Sequence, residues 1–252
     1  MSFFADADAY DRFMGRYSGP LAPQLAEFAC VRAGQRAVDV GCGPGALTSE
    51  LVARLGAQAV AAADPSEPFA EAVRRRHPGV DVAVSGAESL PFGDGAFDAA
   101  LAQLVVSFMT DPVAGLTEMR RVTRSGGVVA ACVWDHVGGQ TPLSVFWRAV
   151  HEVHPDAPDE TEQPGAREGH LAELFAAAGL TRVEGTALGV RLVHATFDDW
   201  WQPFTLGVGP TGRYLAGLET GAAAELRERC RRVLGEAPFT VRARAWAARG
   251  RA

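Results

Sequence analysis

The sequence predicts an α/β fold, a mostly parallel sheet with helices on both faces and inserted cover segments. Three observations predict it. Short apolar strands alternate with helical stretches of ten or so residues through the first half. A glycine-rich turn joins the first strand to the helix that follows it. The chain has 252 residues, 48% apolar and 21% charged, a globular composition that buries roughly 70–75% of its unfolded surface.

The elements follow in order. Arg36 to Val40 is a short buried strand, and a helix runs from about Leu47 to Leu55 after the glycine turn. Ala59 to Asp64 is a second strand, with Pro68 in the first turn of a helix reaching Arg76. Asp81 to Ser85 and Phe97 to Val106 are the third and fourth strands. A helix from Pro112 to Val122 leads through Ser125-Gly126-Gly127 into the strand Val128 to Trp134. The rhythm then changes. Leu143 to Val153 reads as helix, and the acidic, proline-rich HPDAPDETEQPG (154–165) as an exposed loop. Helix returns from Gly169 to Ala178, with Gly179 as its C-cap. Two late strands, near Val183–Val193 and Phe239–Trp246, flank an aromatic cluster and a further helix between Phe197 and Leu234.

Composition removes several chemistries. All 24 basic residues are arginine, so no lysine can anchor pyridoxal phosphate, form a Schiff base or grip a triphosphate. Cys30, Cys42, Cys132 and Cys230 lack CxxC spacing and read as reduced thiols, with no metal site expected. His151 and His154 share a helix face, but two ligands from one helix do not complete a metal site. Net charge is −6 and the arginines are dispersed, so no nucleic-acid partner is expected. No apolar run reaches the ~18 residues of a membrane span, and the start is acidic where a signal peptide is basic. The expectation is a soluble, cytoplasmic protein without a membrane partner.

The strongest motif is Val38-Asp39-Val40-Gly41-Cys42-Gly43-Pro44-Gly45-Ala46. Its glycines allow a tight turn and close approach of a ligand to the backbone. Asp64 ends the next strand, where a βαβ nucleotide site places a carboxylate for ribose hydroxyls. Gly41, Gly43 and Ala46 also match a dinucleotide fingerprint. Asp39 separates the two readings, because an anion beside the turn repels a pyrophosphate and favours a cationic ammonium or sulfonium ligand. S-adenosylmethionine fits that description.

From Val38 to Asp135 the chain resembles the class I S-adenosylmethionine-dependent methyltransferases of the small-molecule group. The resemblance rests on VDVGCGPG, AADPSEP, AESLPFGDGAFD and DPVAGLTEMRRVTRSGGVVAACVWD, in that order. It implies a Rossmann-like seven-stranded sheet with a reversed final hairpin. It also implies one domain over 1–252, with an N-terminal cover segment 1–34, a cofactor-binding core 35–135, and substrate-cover insertions at about 136–170 and 194–236. By the same resemblance Gly41, Cys42, Gly43 and Gly45 line the methionine and ribose, and Asp39 lies near the amino group. Asp64 meets the ribose hydroxyls, with Pro65 and Ser66 beside the adenosine. Ala87 and Glu88 flank the adenine edge, where relatives often carry an aspartate at the position of Gly86. Gln103, Leu104 and Val105 close over the transferring methyl.

Other residues are candidates on chemistry. His136, just past the fifth strand, and His170, opening a cover helix, are candidate general bases, with His194 less favoured. Tyr10 and Arg16 sit in an aromatic and arginine-rich N-terminal segment suited to the methionine carboxylate. Trp200, Trp201, Phe204 and Leu206, with Phe146 and Trp147, are candidate walls for a small-molecule methyl acceptor. Three alternatives keep parts of this pattern: the fold recruited for cyclase-type chemistry, a nicotinamide-dependent reductase, and a regulatory subunit that only binds the cofactor.

Overall fold

The computed structural model describes residues 7–252; the first six residues of the expected cover segment lie outside the described residues. The sheet is built from β1 (Ala37–Val40), β2 (Val60–Asp64), β3 (Asp81–Val84), β4 (Phe97–Gln103), β5 (Thr123–Trp134), β6 (Thr181–His194) and β7 (Phe239–Arg251). Its order is β3-β2-β1-β4-β5-β7-β6. The first five strands pair in parallel, and β7 runs antiparallel to both β5 and β6. The expected seven strands and reversed hairpin are therefore present. β1 and β2 are buried along their whole length, as continuous apolar runs covered on both faces should be.

The helices are α1 (Ala7–Tyr10), α2 (Arg16–Phe28), α3 (Ala46–Leu55), α4 (Glu67–Arg76), α5 (Pro112–Val122), α6 (Ser144–His151), α7 (His170–Ala177), α8 (Phe197–Trp201), α9 (Gly209–Ala216) and α10 (Thr220–Leu234). α1 and α2 are joined by a π-helical stretch, Asp11–Gly15. One face of the sheet packs against α2, α3, α6 and the inserted helices, and the other against α5 and α7. Asp111 caps α5, accepting from the Ala114 N–H, and Thr196 caps α8 through Asp199.

The inserted segments supply an aromatic block. Phe146 stacks on Phe204 at 5.0 Å between ring centroids, and Trp200 lies 4.7 Å from Phe204. Phe146, Trp200, Trp201 and Phe204 are all buried. These residues are chiefly scaffold for the face that carries the cover helices, and the expectation that they wall an acceptor site is corrected below. Leu206 is exposed.

A buried polar chain pins α2 to this block. The Tyr17 hydroxyl donates to His194 Nε2 at 2.9 Å, and His194 Nδ1–H donates to Asp199 Oδ2 at 2.9 Å. Arg16 donates to the same carboxylate and to the Asp199 carbonyl, both at 2.9 Å. His194 is 1% exposed, and burial together with the Arg16 charge lowers its pKa. The neutral ring is the form these partners require. Its stabilising contribution is present above the ordinary histidine pKa of about 6.5, because below it the unfolded chain takes up a proton that the folded chain refuses. His194→Ala should cost about 1–3 kcal/mol near pH 7.5. That difference from wild type should narrow in denaturant titrations as pH falls to 5.

Candidate functional site

Five buried polar atoms without a hydrogen-bond partner stand at the carboxyl ends of the five parallel strands. They are Asp39 Oδ1, Ser66 Oγ, Ser85 Oγ, Gln103 Oε1 and the Trp134 Nε1. Three others of this kind lie elsewhere among the described residues, on Gln163, Thr211 and Trp246. An unpaired buried polar group costs about 1–3 kcal/mol, so a row of them at the ligand-binding edge of an open α/β sheet marks where a partner belongs.

The glycine turn forms the centre of that edge. Gly41, Gly43 and Gly45 have φ of 70°, 51° and 100°, a region L-residues with a Cβ seldom adopt. At Gly41 a Cβ would also overlap the Val105 side chain, whereas nothing lies near that position at Gly43. The Gly41 and Cys42 N–H groups donate to the Ala63 carbonyl at 2.8 and 3.1 Å, which folds the turn against β2. Asp64 is held from both sides, by Gly43 N–H on Oδ2 at 2.9 Å and Ser66 N–H on Oδ1 at 2.8 Å. Asp39 accepts from Thr48 Oγ1 at 2.6 Å through Oδ2, leaving Oδ1 unpaired. Burial, and then the Asp64 charge, push the Asp39 carboxyl up to about 7. Burial also raises Asp64 and the Cys42 thiol. Two neighbouring buried carboxylates, one opposing the ionisation of the other, favour a cation.

Most of the expected binding residues converge here. Tyr10 is half-buried against Phe69, at 5.4 Å between rings, and its phenol is kept protonated by burial and by the Asp64 and Asp11 charges. Arg76 ties this segment down, pairing with Asp11 and donating to the Pro44 carbonyl, both at 2.8 Å. Gln103 Nε2 donates to the Ser18 carbonyl at 3.0 Å, which links β4 to α2. Leu104 adopts a left-handed φ of 62°, local strain of the kind that collects at functional sites. That conformation turns Leu104 into a cleft while Val105 packs on Gly41. Pro65 is exposed beside Ser66, and Ala87 is buried against α5.

Three expected residues are placed otherwise. Arg16 is engaged by Asp199, which uses its guanidinium as the anchor of α2 rather than for a methionine carboxylate. Glu88 Oε1 accepts from the Thr110 and Asp111 N–H groups at 2.8 and 3.2 Å, bracing the loop before α5, while Oε2 lies 3.1 Å from where a Cβ at Gly86 would stand. His170 Nδ1 accepts from the Gly165 N–H at 3.2 Å and lines none of the clefts at the strand ends.

A narrow cleft adjoins the turn. It is lined by Tyr10, Phe13 and Met14 of the N-terminal segment and by Leu104, Phe108 and Trp134 from the ends of β4 and β5. His136, Leu143, Glu160 and Val208 to Pro210 complete the lining. His136 is thus beside the site, with burial lowering its pKa to about 4. Of the expected aromatic wall, Trp200 and Phe204 line only a small neighbouring void and Trp147 only an adjoining polar cleft. Sequence reasoning missed Ser85, Trp134 and Glu160. The position just past a strand's carboxyl end signals the first two. Glu160 had no such signal, lying in a stretch that reads as exposed loop but is 4% exposed in the fold.

Residues 38–131 match the family model described as a methyltransferase domain. A demethylmenaquinone methyltransferase of Paenarthrobacter aurescens is 32% identical over 184 residues, covering 65% of this chain and 70% of that protein. A malonyl-[acyl-carrier protein] O-methyltransferase of Erwinia billingiae is 35% identical over 42% of this chain and 41% of its own length. Against seven curated relatives, the Erwinia billingiae protein among them, the chain spans from 32% to 52% of their length. Among solved structures, geranyl diphosphate C-methyltransferase of Streptomyces coelicolor, in complex with S-adenosyl-L-homocysteine, has a TM-score of 0.55 at 18% identity, covering 94% of this chain and 80% of that one. A [4+2]-cyclase has a TM-score of 0.53 at 20% identity, covering 92% and 81%. At these identities the likeness shows the fold.

Gly41→Ala combines a left-handed φ with an overlap on Val105. It should abolish ligand binding at the turn and destabilise by more than the ~1–2 kcal/mol of the backbone conformation alone. Adding Val105→Ala should restore the steric part, read as a partial recovery of the melting temperature.

Proposed function

The chain belongs to the class I S-adenosylmethionine-dependent methyltransferases, and we propose that it methylates a small-molecule acceptor held beneath the N-terminal segment. The observation that carries this reading is the row of unpartnered polar atoms at the ends of β1–β5, with Asp39 Oδ1 at its centre. S-adenosylmethionine supplies a methyl group on a cationic sulfonium. The donor set fits the molecule. Asp39 would take its ammonium, Asp64 its ribose hydroxyls, and Ser66 and Ser85 the adenosine side. Gly41, Cys42, Gly43 and Gly45 would pass the backbone close to it. Two carboxylates under the turn would repel a dinucleotide's pyrophosphate, which argues against the nicotinamide alternative.

The chain's own residues supply alignment and dryness, which an in-line displacement needs more than covalent help. Tyr10, Phe13 and Met14 exclude water from the cleft. Gln103 ties the end of β4 to α2, and Leu104 and Val105 divide the cleft from the turn. His136 is held neutral at the cleft's end. The acceptors named for the two curated relatives, demethylmenaquinone and a malonyl-carrier-protein conjugate, differ widely. The choice of acceptor therefore rests on the cleft.

Calorimetric titration tests the cofactor reading. S-adenosylmethionine and S-adenosylhomocysteine should bind and reduced nicotinamide dinucleotides should not; binding of the nicotinamide alone would overturn it. Asp64→Ala should weaken binding of the sulfur nucleotides by about 1–3 kcal/mol. The ionised Asp39 is the form that receives a cation, so affinity should rise about tenfold from pH 6 to pH 8 with proton release. Asp39→Asn should flatten that dependence.

A further inference from the structure

We propose that the cleft beside the glycine turn admits an uncharged, largely apolar molecule bearing an acidic hydroxyl, a phenol or enol, and that Glu160 is the catalytic base that removes its proton. The inference rests on the methyl-transfer reading above. Four features of the cleft carry it.

The walls are apolar and aromatic, and no arginine stands among the lining residues. An acceptor carboxylate or phosphate would find no counter-charge and would face Glu160. The polar groups present suit a single hydroxyl. Glu160 accepts from Trp147 Nε1–H through Oε2 at 2.6 Å, and Oε1 has no hydrogen-bond partner among the described residues. Trp134, which also lines the cleft, carries a buried indole N–H without a partner. The residues lining the cleft thus include a proton acceptor and an unsatisfied donor, the pair of groups that an O–H requires. Finally, Glu160 and His136 both line this cleft and the polar cleft adjoining it, giving an abstracted proton a route away from the apolar side.

The chemistry selects Glu160 over His136. Burial pushes the Glu160 carboxyl up to about 7 and the His136 imidazolium down to about 4. A base works best with a pKa near the operating pH, so the histidine is the weaker of the two. The charges around Glu160 are Asp159 beside it, which raises its pKa, and Arg213 on α9, which lowers it. Arg148 and His151 of α6, with His136, line the adjoining cleft. In the reaction the acceptor's O–H bond breaks and its proton passes to the Glu160 carboxylate. The electron pair left on oxygen forms the new O–CH3 bond, and the pair of the broken S–CH3 bond returns to sulfur, leaving a neutral thioether. Glu160 then yields its proton to solvent.

The test uses the full chain, with 2-naphthol as the probe acceptor and 2-methoxynaphthalene as its methylated counterpart. With S-adenosylhomocysteine present, the wild type should bind naphthol about tenfold or more tightly than the ether, as a hydrogen bond to a charged group predicts. Glu160→Gln keeps the oxygen that faces Trp147 and should erase that preference while leaving S-adenosylhomocysteine affinity unchanged. Methyl transfer from labelled S-adenosylmethionine should rise with pH through a midpoint near 7 in the wild type. In Glu160→Gln the rate should fall at least a hundredfold and the midpoint should move to the probe's own ionisation. Trp147→Phe removes a donor that favours the ionised carboxylate, so its midpoint should shift upward. Retention of both the preference and the midpoint in Glu160→Gln would overturn the assignment of the base. Binding of S-adenosylhomocysteine without preference for naphthol in the wild type would overturn the acceptor class and leave the cofactor reading standing. Failure to bind S-adenosylhomocysteine would instead sink the methyl-transfer reading.

Discussion

Two carboxylates share the carboxyl end of the sheet, and the rest of the site is arranged around the difficulty of keeping them there. Asp39 and Asp64 are both buried at the ends of adjacent strands, and the Asp64 charge raises the Asp39 carboxyl. Asp64 is tolerated because backbone N–H groups of the glycine turn and of Ser66 hold it. Asp39 has only Thr48, so one oxygen remains unsatisfied and the carboxyl holds its proton to about pH 7. A ligand with a positive charge and hydroxyl donors removes both penalties at once. The glycines follow from this arrangement, since the turn must pass close enough to donate to Asp64 and yield to Val105.

The N-terminal segment completes the enclosure through two separate anchors. Near the turn, Arg76 holds Asp11, and Tyr10 packs on Phe69 above Asp64. Further along, Tyr17, Arg16, His194 and Asp199 fasten α2 to β6 and α8. Between the anchors lies the π-helical stretch that presents Phe13 and Met14 to the cleft. The aromatic block behind it provides stiffness, with Phe13 edge-on to Phe204 at 5.2 Å. Lining residues held at both ends can exclude water without losing their position.

The same scaffold also supports other chemistry, as the structural likeness to a [4+2]-cyclase illustrates. Two local features of this chain bear on its chemistry: Leu104 in a left-handed conformation between turn and cleft, and a buried glutamate lining an apolar space. Reaction type on such a sheet depends on these grafted groups rather than on strand order.

Strand and helix order, the reversed hairpin expected from family resemblance, and the carboxylates of the turn were legible in the sequence, because alternation of apolar runs and glycine spacing are local properties. Partner choice was not. Arg16 and Glu88 look available in sequence, but a distant aspartate takes the first and a loop backbone takes one oxygen of the second. His170 opens its helix as expected yet faces Gly165 rather than the cleft. The tryptophans of the insertion pack on one another and on Phe204, contacts between residues that sequence alone does not bring together. Glu160 shows the limit most plainly. A proline-rich acidic run reads as solvent-exposed, and only the folded chain lays it across Trp147 and turns one carboxylate inward. The sequence by itself determined the sheet and the glycine turn; the tertiary structure decided which side chains remain free to act, because hydrogen-bond partners are recruited from positions far apart along the chain.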